Sequence, residues 1–208
     1  SEMCIRDRCS YVLGNPPFLG KQHQSASQKQ AMEQVTHGIN GAGVLDFVSA
    51  WYIKAAIYAK SKPSIGVGYV STNSIVQGEQ VGILWGWMLA QGIKINFAHR
   101  TFKWSNEASG NAAVHCIIVG FSYTQTSLKT IYEYEEVHGE PLAVEAKNIN
   151  PYLVDAPDVL LPTRRTSICD VVPIIFGSMA NDGGHFFLND SEKEQLLNEC
   201  PNAAPWIR

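Results

Sequence analysis

Across residues 11–98 the spacing of apolar residues switches repeatedly between the period of a strand and that of a helix. This order of strand, helix, strand, helix, strand confines the chain to an α/β sheet. "YVLG" at 11–14 reads as a buried strand. Val44, Phe47, Val48, Trp51, Ala55 and Tyr58 recur at helical spacing until Lys60-Ser61-Lys62-Pro63 ends the helix, with Asp46 at its beginning. "SIGVGYVST" at 64–72 is a continuous β-rich run, "GEQVGILWGWMLAQG" at 78–92 is a helix closed by Gly92, and "IKINFA" at 93–98 is a strand. Trp85, Trp87 and Met88 on the second helix read as core. A last buried strand, "AAVHCIIVGFS" at 112–122, follows a polar connection over 99–112 that contains a Gly110-Asn111 turn signal. So short a link predicts that these two strands are antiparallel neighbours.

The first strand stops on "NPPFLG". Proline lacks an N–H and holds φ near −65°, so two in succession end the ladder and fix the backbone in one extended shape with unpaired carbonyls. In an open α/β sheet, ligands collect beyond the carboxyl ends of the strands, so Asn15 and the Pro16 carbonyl are expected to face a crevice. Residues 21–43 are polar and Gln-, Ser- and Gly-rich, a long loop with at most a weak helix at 28–35.

At 45% hydrophobic and 17% charged, 208 residues describe an ordinary globular chain. The longest apolar stretches fall short of the ~20 residues of a membrane span, and no signal peptide is visible, so a cytoplasmic protein is expected. A net charge of −3 gives no global basic footprint. Nucleic-acid contacts would have to come from local patches such as His99-Arg100, Lys103 and Arg164-Arg165. The five cysteines, at 4, 9, 116, 169 and 200, are scattered without a C-x-x-C pair, as suits reduced thiols and no zinc site. "GINGAG" at 38–43 follows no strand and reads as flexible loop rather than a cofactor loop. His115-Cys116 reads as a buried-strand pair rather than metal ligands. Neither H-E-x-x-H nor G-x-S-x-G occurs.

Asn15-Pro16-Pro17-Phe18 matches the [ND]-P-P-[YF] motif of amino-group methyltransferases. "GVLDFVSAWYIKAA", "YVSTNSIVQGEQV", "FAHRTFKWSNEASGNAAVHCIIVGF", "NINPYLVDAP" and "NDGGHFFL" follow in order, and together these segments span nearly all of residues 11–190. In this wording the chain resembles the DNA-adenine branch of class I methyltransferases, particularly the MmeI-like single-chain restriction-modification enzymes. The resemblance implies the C-terminal half of a Rossmann-like sheet ending in an antiparallel hairpin, followed by the start of a target recognition domain. It further implies S-adenosylmethionine as methyl donor and double-stranded DNA as partner. On that reading Asn15 and the Pro16 carbonyl, stiffened by Pro17, accept the two hydrogens of an adenine amine and favour the tetrahedral nitrogen that develops on attack. Phe18 stacks on the flipped base, offsetting an unstacking cost on the order of 1–3 kcal/mol. Phe102 or Trp104 covers the base's other face, unless it serves only as an apolar plug for the hairpin. Arg100 and Lys103 lie beside the nucleic acid. Asp46, with Leu45 and Phe47 flanking it and Asn15 nearby, borders the cofactor, or else its charge complements the helix dipole.

After residue 150, Pro151, Pro157, Pro162 and Pro173 punctuate a stretch containing Arg164-Arg165, either DNA-phosphate ligands or a solvated pair. Ser191 with Glu194 reads as a capping box. The expected division is 1–8, which reads like translated sequencing adaptor; 9–147, methyltransferase; and 148–208, linker and start of target recognition. With no glycine-rich cofactor loop before residue 11, these 208 residues alone are expected to bind the methyl donor poorly. The alternatives are an RNA-guanine or protein-glutamine N-methyltransferase, which present a similar planar nitrogen, or a non-catalytic DNA specificity subunit.

Overall fold

The computed structural model describes residues 9–104, 114–136, 139–164, 166–172 and 187–207. The chain divides into two compact units, Ser1–Thr163 and Arg164–Arg208.

The first unit carries a six-stranded sheet in the order β1-β2-β4-β3-β5-β6. β1 (Tyr11–Gly14) pairs in parallel with β2 (Gly66–Thr72). β4 (Val114–Ser122) lies antiparallel between β2 and β3 (Lys94–Trp104). β5 (Lys129–Glu133) pairs in parallel with β3, and β6 (Leu142–Ala146) is antiparallel to β5. β1, β2, β3 and β5 therefore point one way, and their carboxyl ends share one edge of the sheet.

The fold is the expected α/β class, with two differences in the sheet. The β3–β4 pair does not end it, because β5 and β6 extend it by two strands. Residues 99–104, expected as connection, belong to β3, where His99, Phe102, Lys103 and Trp104 find ladder partners on β4.

Between β1 and β2 run α1 (Ala26–Val35) and α2 (Ser49–Ala59). Ser25 caps α1 through a reciprocal box with Gln28, which makes this helix longer and firmer than the sequence suggested. α2 begins at Ser49, later than its apolar spacing implied, because residues 42–44 form a 3-10 turn. Asp46 thus precedes the helix and is no first-turn charge. α3 consists of Gly78–Gln80, a π-helical Val81–Trp85 and Gly86–Ala90, and Gly92 closes it at φ 90°.

The core lies where α2 and α3 meet one face of the sheet. Tyr52, fully buried, stacks on Phe121 at 5.3 Å, meets Tyr69 and Trp85 edge-on, and bonds its hydroxyl to Ser71 Oγ at 2.8 Å. That satisfied hydroxyl removes the cost of burying a phenol. Trp85 donates its indole N–H to the Ile75 carbonyl at 3.0 Å.

The opposite face is built around glycines. Leu13 packs against Gly68 and Phe97 lies flat on Gly120, so a Cβ at Gly120 would collide with the Phe97 ring. His115, expected in the core, is exposed, while Cys116 beside it is buried.

Beyond β6, Asn150 Oδ1 accepts the N–H groups of Tyr152 and Val154, and this turn holds buried Leu153 at φ 58°. A leucine in the left-handed region is strained, which local bonding must offset. Lys129, although buried, donates to Asn148 Oδ1 at 2.8 Å, and Asp155 accepts the N–H groups of Asn148 and Lys147.

In the second unit, α4 (Asp190–Glu199) is capped by Asn189 with Glu192, not by Ser191 with Glu194. The earlier start brings Asp190 and Glu192 into the first turn, where the dipole favours negative charge.

Gly120→Ala should lower stability by about 1–3 kcal/mol because the ring cannot yield without repacking, whereas Gly43→Ala, with open space around its Cβ, should shift the urea midpoint little. A second prediction concerns acid. The two N–H bonds hold the Asp155 carboxyl below its ordinary 3.8, so its stabilisation is present above that value and lost as pH falls through the lowered one. Asp155→Asn should therefore be less stable than the parent at neutral pH and lose less on acidification.

Candidate active site

At the end of β1, Leu13, Gly14 and Asn15 are all exposed and Pro16 is buried. Pro17 is exposed and Phe18 half-buried.

Ladder register relates this end to β3. Gly14 pairs with Tyr69, and three residues further along β2 Thr72 pairs with Cys116, which pairs in turn with Phe102. Phe102 thus stands three residues past the level of Gly14 toward the carboxyl edge, three strand steps across the sheet, or about 14 Å.

A bulge decides which side chain β3 presents there. His99 pairs with Ile118 and Phe102 with Cys116, so three steps on β3 match two on β4. One extra residue reverses the alternation, putting Phe102 rather than Thr101 on the face that carries His99. Around Phe102 stands an aromatic cluster that sequence reading missed. His99 stacks on Tyr132 at 4.1 Å and bonds through Nδ1 to the Tyr134 hydroxyl at 2.8 Å, and Tyr134 stacks on Phe102 at 5.3 Å. Burial pushes the His99 pKa below its ordinary value and that of Tyr134 above, so both are neutral around neutral pH. Arg100 pairs with Glu133 at 3.0 Å in an exposed ion pair of small energetic weight. Lys103 is half-buried, Arg164 is exposed, and the Trp104 side chain and Arg165 lie outside the described residues.

The proposed cofactor neighbours separate. Leu45 is 1% exposed and borders a small pocket of about 260 Å³ with Lys21, Gln24 and Thr36. Both Asp46 carboxylate oxygens are engaged, Oδ1 by the Lys21 N–H at 3.3 Å and Oδ2 by the Ser74 hydroxyl at 2.6 Å. Phe47, like Asp46, is half-buried. It meets Trp51 edge-on at 5.0 Å and, with Val12, Trp51, Tyr58 and Tyr69, lines an apolar groove of about 550 Å³ beside β1. That volume lies within the range of small-molecule pockets. Ser74 and Gln80, which contact Asp46, gave no signal in the sequence because each is an ordinary polar residue 28 or 34 positions away.

Among the described residues no helix is long and apolar enough to cross a membrane, and no group of three or more His, Cys, Asp or Glu side chains is placed to hold a metal ion.

Comparison with known proteins is consistent across the chain. Residues 2–133 match the family model "MmeI, DNA-methyltransferase domain", and residues 155–208 match "MmeI, target recognition domain". DNA methyltransferase A of Bacillus subtilis (strain 168) is 38% identical over 198 residues, which are 95% of this chain and 22% of that protein. The structure of the type IIL restriction-modification enzyme MmeI in complex with DNA superposes with a TM-score of 0.88 at 49% identity, over 95% of this chain and 26% of that one. The chain thus spans about a quarter of the length of these relatives. With its sheet, its Asn-Pro-Pro-Phe turn and both domain matches in agreement, the chain belongs to the MmeI family of DNA methyltransferases.

Proposed function

We propose that the chain forms the base-gripping part of a site-specific DNA adenine-N6 methyltransferase of a restriction-modification system, acting on double-stranded DNA in the cytoplasm. The observation that carries this reading is Asn15, exposed just past the carboxyl end of a strand that two prolines terminate, on the sheet edge toward which the Phe102 end of β3 also runs.

The methyl donor, S-adenosylmethionine in this reading, supplies an electrophilic methyl group. The chain's own part is to prepare the nucleophile. An adenine amine is planar and its lone pair is delocalised, so attack requires the nitrogen to become tetrahedral. Asn15 Oδ1 and the Pro16 carbonyl accept the amine's two N–H groups and stabilise that change as the new bond forms. Pro17 adds no N–H that could compete for either oxygen. Phe18 covers one face of the flipped base, and Phe102 or Trp104 the other. Arg100, Lys103, Arg164 and Arg165 are offered to phosphates, contacts that position rather than specify.

Of the residues assigned to the donor, Phe47 fits an adenosine ring, since it borders an apolar groove of suitable size. Leu45 is buried and borders a separate, smaller pocket. Asp46 accepts one bond within the chain on each carboxylate oxygen, which fits a residue that ties neighbouring segments together.

In the full-length gene product, Asn15→Ala should reduce methyl transfer to duplex DNA by about 100-fold or more while DNA affinity stays near that of the parent. Digestion of the product should yield N6-methyladenine. Labelling of RNA or of a protein glutamine instead would replace this substrate, and undiminished methylation by Asn15→Ala would remove the catalytic assignment altogether. Comparing Phe102→Ala with Trp104→Ala, using 2-aminopurine at the target position, identifies the ring that covers the base: losing that ring should change the fluorescence of the flipped base, and losing the other should not.

A further inference from the structure

We infer that Asp46 is a positioning residue for the Asn15 turn and not a ligand of the methyl donor. The inference rests on the reading above that Asn15 acts on the base.

Three hydrogen bonds hold Asp46 in place. Its Oδ1 accepts the Lys21 N–H at 3.3 Å and its Oδ2 the Ser74 hydroxyl at 2.6 Å, while its own N–H donates to Gln80 Oε1 at 2.9 Å. The residues on either side extend the attachment. The Phe47 N–H donates to the Leu19 carbonyl at 2.9 Å, and Gln24 Nε2 donates to the Leu45 carbonyl at 3.2 Å. Residues 45–47 therefore grip the segment just after the Asn-Pro-Pro-Phe turn at three points, at residues 19, 21 and 24.

The other side of Asp46 reaches β2 and α3. Ser74 lies in the 3-10 turn that follows β2, and its Oγ is 2.7 Å from Thr72 Oγ1. Thr72 pairs with Cys116 and Cys116 with Phe102. A continuous bonded path thus runs from the segment behind the turn, through one carboxylate, to the strand that carries Phe102. The two halves of the base site reach Asp46 from separate elements, 25 positions away on one side and 28 on the other.

A carboxylate suits this task because it is acceptor-only and has two oxygens, so a backbone N–H and a hydroxyl can both donate to it without competing. The 2.6 Å contact with Ser74 has the length of a charge-assisted bond. Displacement of a reacting group by about 1 Å costs about 100-fold in rate. A contact that fixes the turn behind Asn15 therefore acts on the transfer step even though it touches neither base nor donor.

The test uses the full-length gene product with Asp46→Ala, Asp46→Asn, Ser74→Ala and, as reference, Asn15→Ala. The readouts are the single-turnover methylation rate at saturating S-adenosylmethionine, the Kd for S-adenosylmethionine, and thermal stability. Asp46→Ala should slow transfer by about tenfold or more with the donor Kd within about twofold of the parent. Asp46→Asn should recover most of the rate, since the amide oxygen still accepts from Lys21 and its NH₂ can donate to Ser74 Oγ. Ser74→Ala should fall between the parent and Asp46→Ala.

A donor Kd that weakens while the saturated rate stays at the parental level would make Asp46 a donor ligand and overturn the proposal. So would parental rates in both Asp46→Ala and Ser74→Ala. Should Asp46→Ala fail to fold, Ser74→Ala decides alone, and a parental rate there overturns the proposal. The reference variant separates the two readings. An active Asn15→Ala removes the functional proposal and this one with it, whereas an inactive Asn15→Ala beside parental Asp46 and Ser74 variants removes only this one.

Discussion

Two consecutive residues without an N–H set the position of everything at the carboxyl edge of this sheet. A ladder cannot continue through Pro16 and Pro17, so β1 ends at Gly14 although β2 beside it continues to Thr72. The shorter strand leaves a step in the edge, and Asn15 stands on that step. Had β1 run on, residue 15 would be a ladder member with its backbone paired. Because β1, β2 and β3 run the same way, residues following all three gather on this edge.

Two kinds of force hold the arrangement, and they occupy different regions. On the helix side, Tyr52, Trp85 and Phe121 form a buried aromatic centre that fixes α2 and α3 to the sheet. Burial of that kind is strong but non-directional. At the carboxyl edge the contacts are hydrogen bonds through Asp46, Ser74, Thr72 and Gln80, each weak in net energy yet directional. A chain that must place one amide oxygen to a fraction of an ångström needs the second kind where the first cannot supply orientation.

Much of the sheet was legible in the sequence because β2, β4 and α2 carry unbroken apolar periods. The Asn-Pro-Pro-Phe turn was legible because proline acts locally. β5 and β6 escaped notice because they are short and half-exposed, and buried Lys129 breaks the apolar pattern at the start of β5. The apolar spacing that begins at Val44 implies a helix start around Asp46, whereas the 3-10 turn at 42–44 delays the helix to Ser49. The His99–Tyr134 bond joins residues 35 apart through the parallel pairing of β3 and β5, a relation that no local pattern encodes.

The bulges in β3 show why the face of a strand cannot be read from alternation alone. Ile95 pairs with Phe121 on the helix side, and Phe97, two residues on, pairs with Gly120 on the other. Strict alternation would put Ile95 and Phe97 on the same face. The register shift between them turns Phe97 outward over Gly120, and the second shift, between His99 and Phe102, turns Phe102 outward in place of Thr101. Each inserted residue interrupts a ladder that would otherwise be regular, and each brings a ring to the open face. Gly120 complements the first shift, since only a residue without a Cβ leaves room for the ring laid on it. The second has its complement in Tyr134 and His99, whose rings meet Phe102 from β3 and from the end of β5. The aromatic wall therefore depends on an irregularity in hydrogen bonding, and the glycine and the tyrosine are the residues that make this irregularity tolerable.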